Sequence, residues 1–331
     1  MRTTFGVLVL VLLLSLLSNV HAFPGVGNPS CPILLQKETD LDCPWAAIAR
    51  SLEQVPASKV ESHLNTIAPD FLKRLDLEAK HTEAMKQLWG QSINFDEGAK
   101  SIIVPDAIID VILKRAGVRP RHSDKIVHAG FEHTYGYLLS NLKTPYGYKR
   151  LRWVRPDIEN GFALPKGTIA PYPEKGGLFA NITYFAGRIV FRDETVQAQA
   201  ARKILGETMG VSDDLKSFDF KTLHGKRLVE TLKLPSGRTV EIRSDFVPFT
   251  VAAGESTGGN AELLIYSVYD SNLKLPYLVT AFPIGKGFSD GATNPSGLGE
   301  AQKIATRYNA WISGVTDSKV PLTGTRSVTT F

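Results

Sequence analysis

The stretch from Arg227 to Ile284 constrains the fold most. Arg227-Leu-Val-Glu-Thr-Leu-Lys-Leu alternates apolar and polar residues, Pro235-Ser-Gly237 turns, and Arg238 to Arg243 alternates again. A period of two belongs to strands, because successive side chains leave opposite faces. After a glycine-rich loop (Gly254 to Asn260), Glu262 to Tyr269 and Tyr277 to Ile284 flank Asp270-Ser-Asn272 as a second hairpin. Two adjoining hairpins predict an antiparallel meander.

Upstream the period is helical, from Pro44 to about Gly117. Ser58-Lys-Val-Glu61 reads as a capping box. Asp70 is placed to cap a helix carrying Phe71, Leu72, Leu75, Leu77, Met85 and Leu88, stopped by Gly90. Pro105 and Asp106 open another, with Ile108, Ile109, Ile112 and Leu113, ended by Gly117. A fourth begins after Ser123-Asp124, with a seam of Val127, Phe131, Tyr135, Leu138 and Leu142. Leu178 to Phe191 reads as two strands bent near Gly187, and Glu194 to Met209 as a short helix. The tail holds a helix over Gly299 to Ile312 and a polar end.

Helices followed by a meander define an α+β chain, with a helical N-terminal half and an antiparallel β-meander after it. Residues 23–145 form the helical region and 146–331 the mainly β region with its C-terminal helix. The Pro-, Gly- and Tyr-rich stretch 145–176 is either a domain boundary or a long functional loop within one domain.

The first 22 residues read as a signal peptide. Arg2 is followed by Phe5 to Leu17, an apolar run too short to span a bilayer, and Val20-His21-Ala22 fits a cleavage site. The expectation is an exported chain, secreted or periplasmic, with no integral membrane segment after cleavage near Ala22. The only cysteines, Cys31 and Cys43, suit one disulfide stapling the start of that chain. Asn181-Ile-Thr183 is the one usable glycosylation sequon, since Asn294 precedes Pro295.

Charge is concentrated. Lys114 to Arg155 holds ten Lys and Arg against Asp124 and Glu132, although the whole chain is only +5. Aromatic residues interleave with these bases. Arg119, Arg121, Lys125, Lys143, Tyr148, Arg150, Arg152, Trp153 and Arg155 are therefore the expected polyanion-binding strip. Cations neutralise phosphates, and aromatic faces stack on unpaired bases. RNA is the leading partner; anionic lipid, wall polymer or a merely solvated basic face are the alternatives.

Three histidines lie in this strip: His122, His128 and His133. Histidine serves as general acid or base near neutrality, and positive surroundings keep a base neutral. On a straight helix His128 and His133 point about 140° apart. Both reach one phosphate only if the helix breaks, at Gly130 or Gly136. His133 shares a helical face with Gly130, Tyr137 and Asn141, a small polar strip open to a substrate. Gly254-Glu-Ser-Thr-Gly258 matches the serine-hydrolase elbow string, but strands flank it on both sides, so it reads as a hairpin loop. No cofactor or metal is expected.

Two short segments resemble the EndoU-like endoribonucleases and related secreted ribonuclease toxins. Gly130-Phe131-Glu132-His133 is similar to the segment bearing the first catalytic histidine. Leu278-Val279-Thr280-Ala281-Phe282-Pro283 is similar to the closing strand that completes the site. The resemblance implies RNA cleavage to cyclic phosphate ends by two histidines and a lysine. His133 then acts as acid or base, Lys149 stabilises charge, and Thr280 with Tyr277 orients phosphate or base. The sequence departs from that pattern: the next histidine after His133 is His224, and His128 precedes it. The combined expectation is an RNA- or polyanion-binding protein with endoribonuclease chemistry. The alternatives are a non-catalytic binding module for lipid or wall polymer, or a hydrolase with unlocated carboxylates.

Overall fold

The computed structural model describes residues 45–80, 83–96, 98–118, 126–144, 147–153, 178–206, 211–233, 237–248, 261–294 and 325–331. The expected signal peptide, Cys31, Cys43, the Gly254–Gly258 loop and the Gly299–Ile312 helix lie outside them.

The helical part opens with α1 (Trp45–Leu52), whose Trp45, Ala46, Ile48, Ala49 and Leu52 bury one face. Next come a 3-10 turn (Ala57–Lys59), α2 (Val60–Ile67), α3 (Pro69–Lys80) and α4 (Glu83–Leu88). The expected capping box does not form: no side chain caps α2. Glu61 instead pairs with Lys114 at 2.7 Å and Arg115 at 2.9 Å, two stronger charge partners than an exposed N–H. Asp70 sits inside the first turn of α3 and bonds Lys73.

Short strands β1 (Gln91–Ile93), β2 (Phe95–Asp96) and β3 (Ser101–Ile102) lead to α5 (Asp106–Arg115). Pro105 precedes α5 and Gly117 follows it at φ 62°, as expected. The Val118 N–H reaches the Leu113 carbonyl and the Gly117 N–H the Lys114 carbonyl, which closes the helix end as a Schellman motif.

The expected fourth helix is only partly helical. Ile126–His128 is a strand, β4, paired antiparallel with β1. Ala129–Phe131 (α6) then runs into a π-helical turn over Glu132–Gly136. Neither glycine breaks the chain by adopting a left-handed conformation. Gly130 is required for close packing, since a Cβ there would lie 2.2 Å from the Phe179 ring and 2.8 Å from the Trp89 ring. The expected open strip beside His133 is therefore core on its Gly130 side. β5 (Lys143–Thr144), β6 (Gly147–Tyr148) and a 3-10 turn (Lys149–Arg152) follow.

Leu178–Val190 is a helix, α7, not two strands. It is buried on all sides except at Tyr184 and Arg188, so no polar stripe betrays its period. Gly187 is not a bend. It lets α8 (Val196–Gly206) approach, because a Cβ there would lie 2.5 Å from Leu205. Asn181 sits in α7, nearly fully buried, and its side-chain oxygen accepts from the Ser212 N–H. The sequon is closed to modification in the folded chain. A single-turn helix α9 (Asp213–Lys216) and a 3-10 turn (Phe220–Thr222) connect to the sheet.

The expected meander is present as β7 (Lys226–Lys233), β8 (Thr239–Pro248), β9 (Ala261–Asp270) and β10 (Tyr277–Gly285). After α10 (Lys286–Thr293), the polar end forms an additional strand, β11 (Arg326–Thr330). The antiparallel sheet order is β10-β9-β8-β7-β11. One face buries Val240, Ile242, Val268 and Val279 beside Leu228, Phe246, Leu264 and the Ala292 of α10. The other face receives the end of α7. The Tyr269 hydroxyl donates to the Val190 carbonyl, and Arg227 donates to the Ile189 and Val190 carbonyls. The chain is thus α+β. Among the described residues, no helix is long and apolar enough to cross a membrane.

The helical part joins the sheet at the β10 edge. The Gly90 N–H donates to the Leu278 carbonyl at 2.9 Å, and the Ala129 N–H donates to the Gly90 carbonyl at 3.2 Å. Covering an edge strand in this way removes its unpaired backbone groups from competition. It also brings the π-helical turn that carries His133 against β10, the strand that bears Thr280.

Candidate functional site

The π turn places Glu132 and His133 inside the molecule. His133 Nε2 lies 2.6 Å from Glu132 Oε2, with the carboxylate fully buried and the histidine side chain 5% exposed. His133 Nδ1 and both Glu132 carboxylate oxygens are buried without a hydrogen-bond partner, so the Nε2–Oε2 approach is a close charge contact rather than an aligned hydrogen bond. The Trp153 indole N–H donates to the His133 carbonyl at 2.9 Å, fixing the turn from the 3-10 side.

Tyr137 and Lys149 extend the cluster. The Tyr137 ring stands 5.0 Å from the His133 ring, and Lys149 Nζ lies 5.4 Å above it. Lys149 is ion-paired with Asp96 at 2.9 Å. Burial, and after it the neighbouring Arg152, hold the Lys149 ammonium below the usual lysine range. Burial pushes the Asp96 carboxyl up, but the Lys149 hydrogen bond and charge outweigh it and leave it net lowered. The Tyr137 hydroxyl is raised well above 10, by burial first and then by the Glu132 charge. The cluster thus holds carboxylates, an imidazole and an acidified ammonium, the types that move protons.

Both the π turn and the 3-10 turn pack on β10, with Cα atoms within 8 Å. Thr280 follows a β-bulge in that strand. Its hydroxyl is buried and unpartnered. The Arg152 guanidinium lies 4.5 Å over the Phe282 ring. Bulges re-aim side chains next to sites. Tyr277 is half-buried opposite Val268 at the start of the strand, and no described contact joins it to the cluster.

His128 lies on β4, so the helical angle between it and His133 does not apply. Its ring packs against Phe131 and Phe179 at 5.3 and 6.2 Å. Both ring nitrogens are closed off and unpartnered, although the residue keeps some exposed surface. Burial first, then the Lys86 and His133 charges, push its pKa down to about 4. A depressed histidine stabilises the fold above its unfolded pKa, and that stability is lost as pH falls toward the folded value. Removing this penalty by His128→Leu should flatten the loss of stability between about pH 6.5 and 4, by up to about 3 kcal/mol. Urea unfolding of both proteins at pH 7 and pH 4.5 measures the difference; equal pH dependences would refute it.

Among the described residues, the basic strip does not share one exposed surface. Lys149, Arg150 and Trp153 are buried, and Phe131, Tyr135 and Tyr137 are core. Arg150 donates to the Ser140 carbonyl and the Asn141 side chain and stacks on Tyr148. Lys114 and Arg115 are paired with Glu61, and Arg115 also with Asp76. Lys143 is exposed, while Tyr148 and Arg152 are half-buried. Arg119, Arg121, Lys125 and Arg155 lie outside the described residues.

Sequence reading missed Glu132 and Asp96 as site residues, and placed Tyr137 beside His133 only as part of an open strip. Glu132 adjoins His133, but neighbours diverge by about 100° on a regular helix. Asp96 reaches Lys149 only through the fold. Among the described residues, no three His, Cys, Asp or Glu side chains converge as a metal site requires. No family model, curated protein or solved structure matches the chain.

Proposed function

We propose that this chain is exported and cleaves RNA by acid–base chemistry at Glu132, His133 and Lys149, on elements packed against the strand that bears Thr280. The observation that carries the reading is the buried Glu132–His133 pair, with Lys149 alongside, packed on the strand that bears Thr280. His133 Nδ1, the ring nitrogen without a protein partner, takes the proton of the RNA 2′-hydroxyl. That oxygen bonds to the adjacent phosphorus as the bond to the 5′-oxygen breaks. Glu132 holds the ring from the Nε2 side and stabilises the imidazolium. Lys149 stabilises the added negative charge and gives the leaving oxygen its proton, a task its lowered pKa favours. The products are a 2′,3′-cyclic phosphate and a 5′-hydroxyl. The choice of RNA rests on the two short segments that resemble EndoU-like enzymes. The His133 side chain is 5% exposed, so a phosphate reaches it only when the side chains packed around it shift.

The expected result is cleavage of a fluorogenic RNA, with cyclic phosphate ends, by the wild-type chain. His133→Ala should lower the rate at least about 100-fold while its circular dichroism stays unchanged. Absence of cleavage by the wild type, or equal rates in both, ends the proposal. The rival reading, polyanion binding without turnover, retains only exposed Lys143 and the half-buried Tyr148 and Arg152 among the described residues. Salt-sensitive binding that ignores His133→Ala would select it.

A further inference from the structure

We infer that the cavity between α1, the start of α5 and the chain beyond the π turn binds a small organic amine, with an apolar part about the size of one benzene ring and its ammonium on the Glu53 carboxylate. The cavity measures about 150 Å³. Its walls are Leu52 of α1, Ile103 and Ile108 around the start of α5, and Leu139 and Leu142 after the π turn. Leu52, Ile103, Ile108 and Leu139 are buried. Water stays in such a space only with two or more polar partners, and these side chains offer none. A dry void of about this volume takes a benzene-sized ligand. The cavity shares no lining residue with the Glu132, His133 and Lys149 cluster.

The walls are tied, so the space cannot simply close. The Ser140 hydroxyl donates to the Ile103 carbonyl and accepts from the Leu142 N–H at 3.2 Å, which joins two of them. The Asn94 side chain accepts from the Val104 N–H at 2.9 Å and donates to the Val104 carbonyl at 2.7 Å. Interiors are close-packed, and a void left among apolar side chains is destabilising unless its lining relaxes into it. Here a ligand finds the space already formed, as most small-molecule sites are.

The polar end of the cavity sets the charge of the ligand. Glu53 and Asn141 also line it, and Glu53 is the one charged residue of the lining. Glu53 is exposed, so this end meets solvent. The Asn141 amide donates to Glu53 Oε1 at 2.7 Å, and its oxygen accepts from Arg150 at 2.9 Å. Buried Arg150 thus fixes which way the amide faces and turns its N–H group toward the carboxylate. Glu53 Oε2 takes no bond from a described residue. An ammonium placed there gains a charge-assisted hydrogen bond while its apolar part fills the cavity. An anion would meet a like charge at the same place.

The test titrates the full chain with benzylamine and follows the methyl resonances of Ile103, Ile108 and Leu139. Binding should be saturable and should shift these methyls. Toluene should move the same methyls but bind roughly tenfold more weakly, because it lacks the charged hydrogen bond. Benzoate should not bind. Glu53→Gln keeps an acceptor for Asn141. It should bring benzylamine down to the affinity of toluene and leave toluene unchanged. Absence of saturable benzylamine binding, or shifts that spare these methyls, overturns the site. Equal affinity for benzylamine and toluene in the wild type, or an unaltered preference in Glu53→Gln, overturns an amine as the ligand.

Discussion

Replacing Arg227 with methionine should destabilise the fold by about 3–5 kcal/mol, measured as a lower midpoint of urea unfolding. Arg227 holds Asp245 through two bonds, from Nε at 2.6 Å and from Nη2 at 3.1 Å. Asp245 is fully buried, and burial already pushes its carboxyl up against the pull of Arg227. Truncating the arginine leaves that charge stranded in a medium that solvates it poorly. The carbonyls of Ile189 and Val190 lose a donor at the same time. The loss should shrink at low pH, where the stranded carboxyl takes a proton. Converting Asp245 to leucine in the same chain should recover much of it, because an apolar pair of similar volume needs no solvation. A single variant as stable as wild type at neutral pH would show that the pair contributes nothing.

Gly130→Ala should destabilise by about 3 kcal/mol, the upper end of what overpacking costs. The added methyl meets the Phe179 ring at 2.2 and 2.7 Å and the Trp89 ring at 2.8 Å. Neither ring can retreat freely. The Trp89 indole donates to the Thr183 hydroxyl, and the Phe179 ring lies 4.1 Å from that of Phe131. Alanine at Gly136 should cost less, since its methyl meets the Ile109 and Val104 side chains at 3.2 Å and Glu132 Cγ at an ordinary 3.8 Å. At Gly206 nothing stands within 4 Å, and alanine should be tolerated. Thermal unfolding of the three variants orders them; an equal shift for Gly130 and Gly206 would contradict the packing described.

The elements that read correctly from sequence are those with one wet side. β8 alternates because Val240 and Ile242 face the core while Thr239 and Glu241 do not. α5 shows its period and its glycine stop for the same reason. α7 misled because burial on nearly every side removes the contrast that periodicity needs, while Phe, Ile, Thr and Tyr favour strands. β11 was illegible because its seat is main chain. The candidate site was half legible. His133, Lys149 and Thr280 stood out as residues, but Asp96 and Glu132 became partners only through tertiary placement. Charge counted along the chain also ignores the acids that arrive from elsewhere: Glu61 and Asp76 pair with Lys114 and Arg115 at the start of the basic stretch.

The interior position of α7 has a consequence for the rate at which the chain acquires its structure. Its first turn is tied to Glu78, 101 residues earlier, and its Thr183 to Trp89, 94 residues earlier. Its last turn is tied to Tyr269, 79 residues later. A helix so placed has few local rewards, and its loops must close before its contacts form. Despite its nearer contacts with α8, α7 is therefore expected to reach its final packing only after the strand that bears Tyr269 has formed.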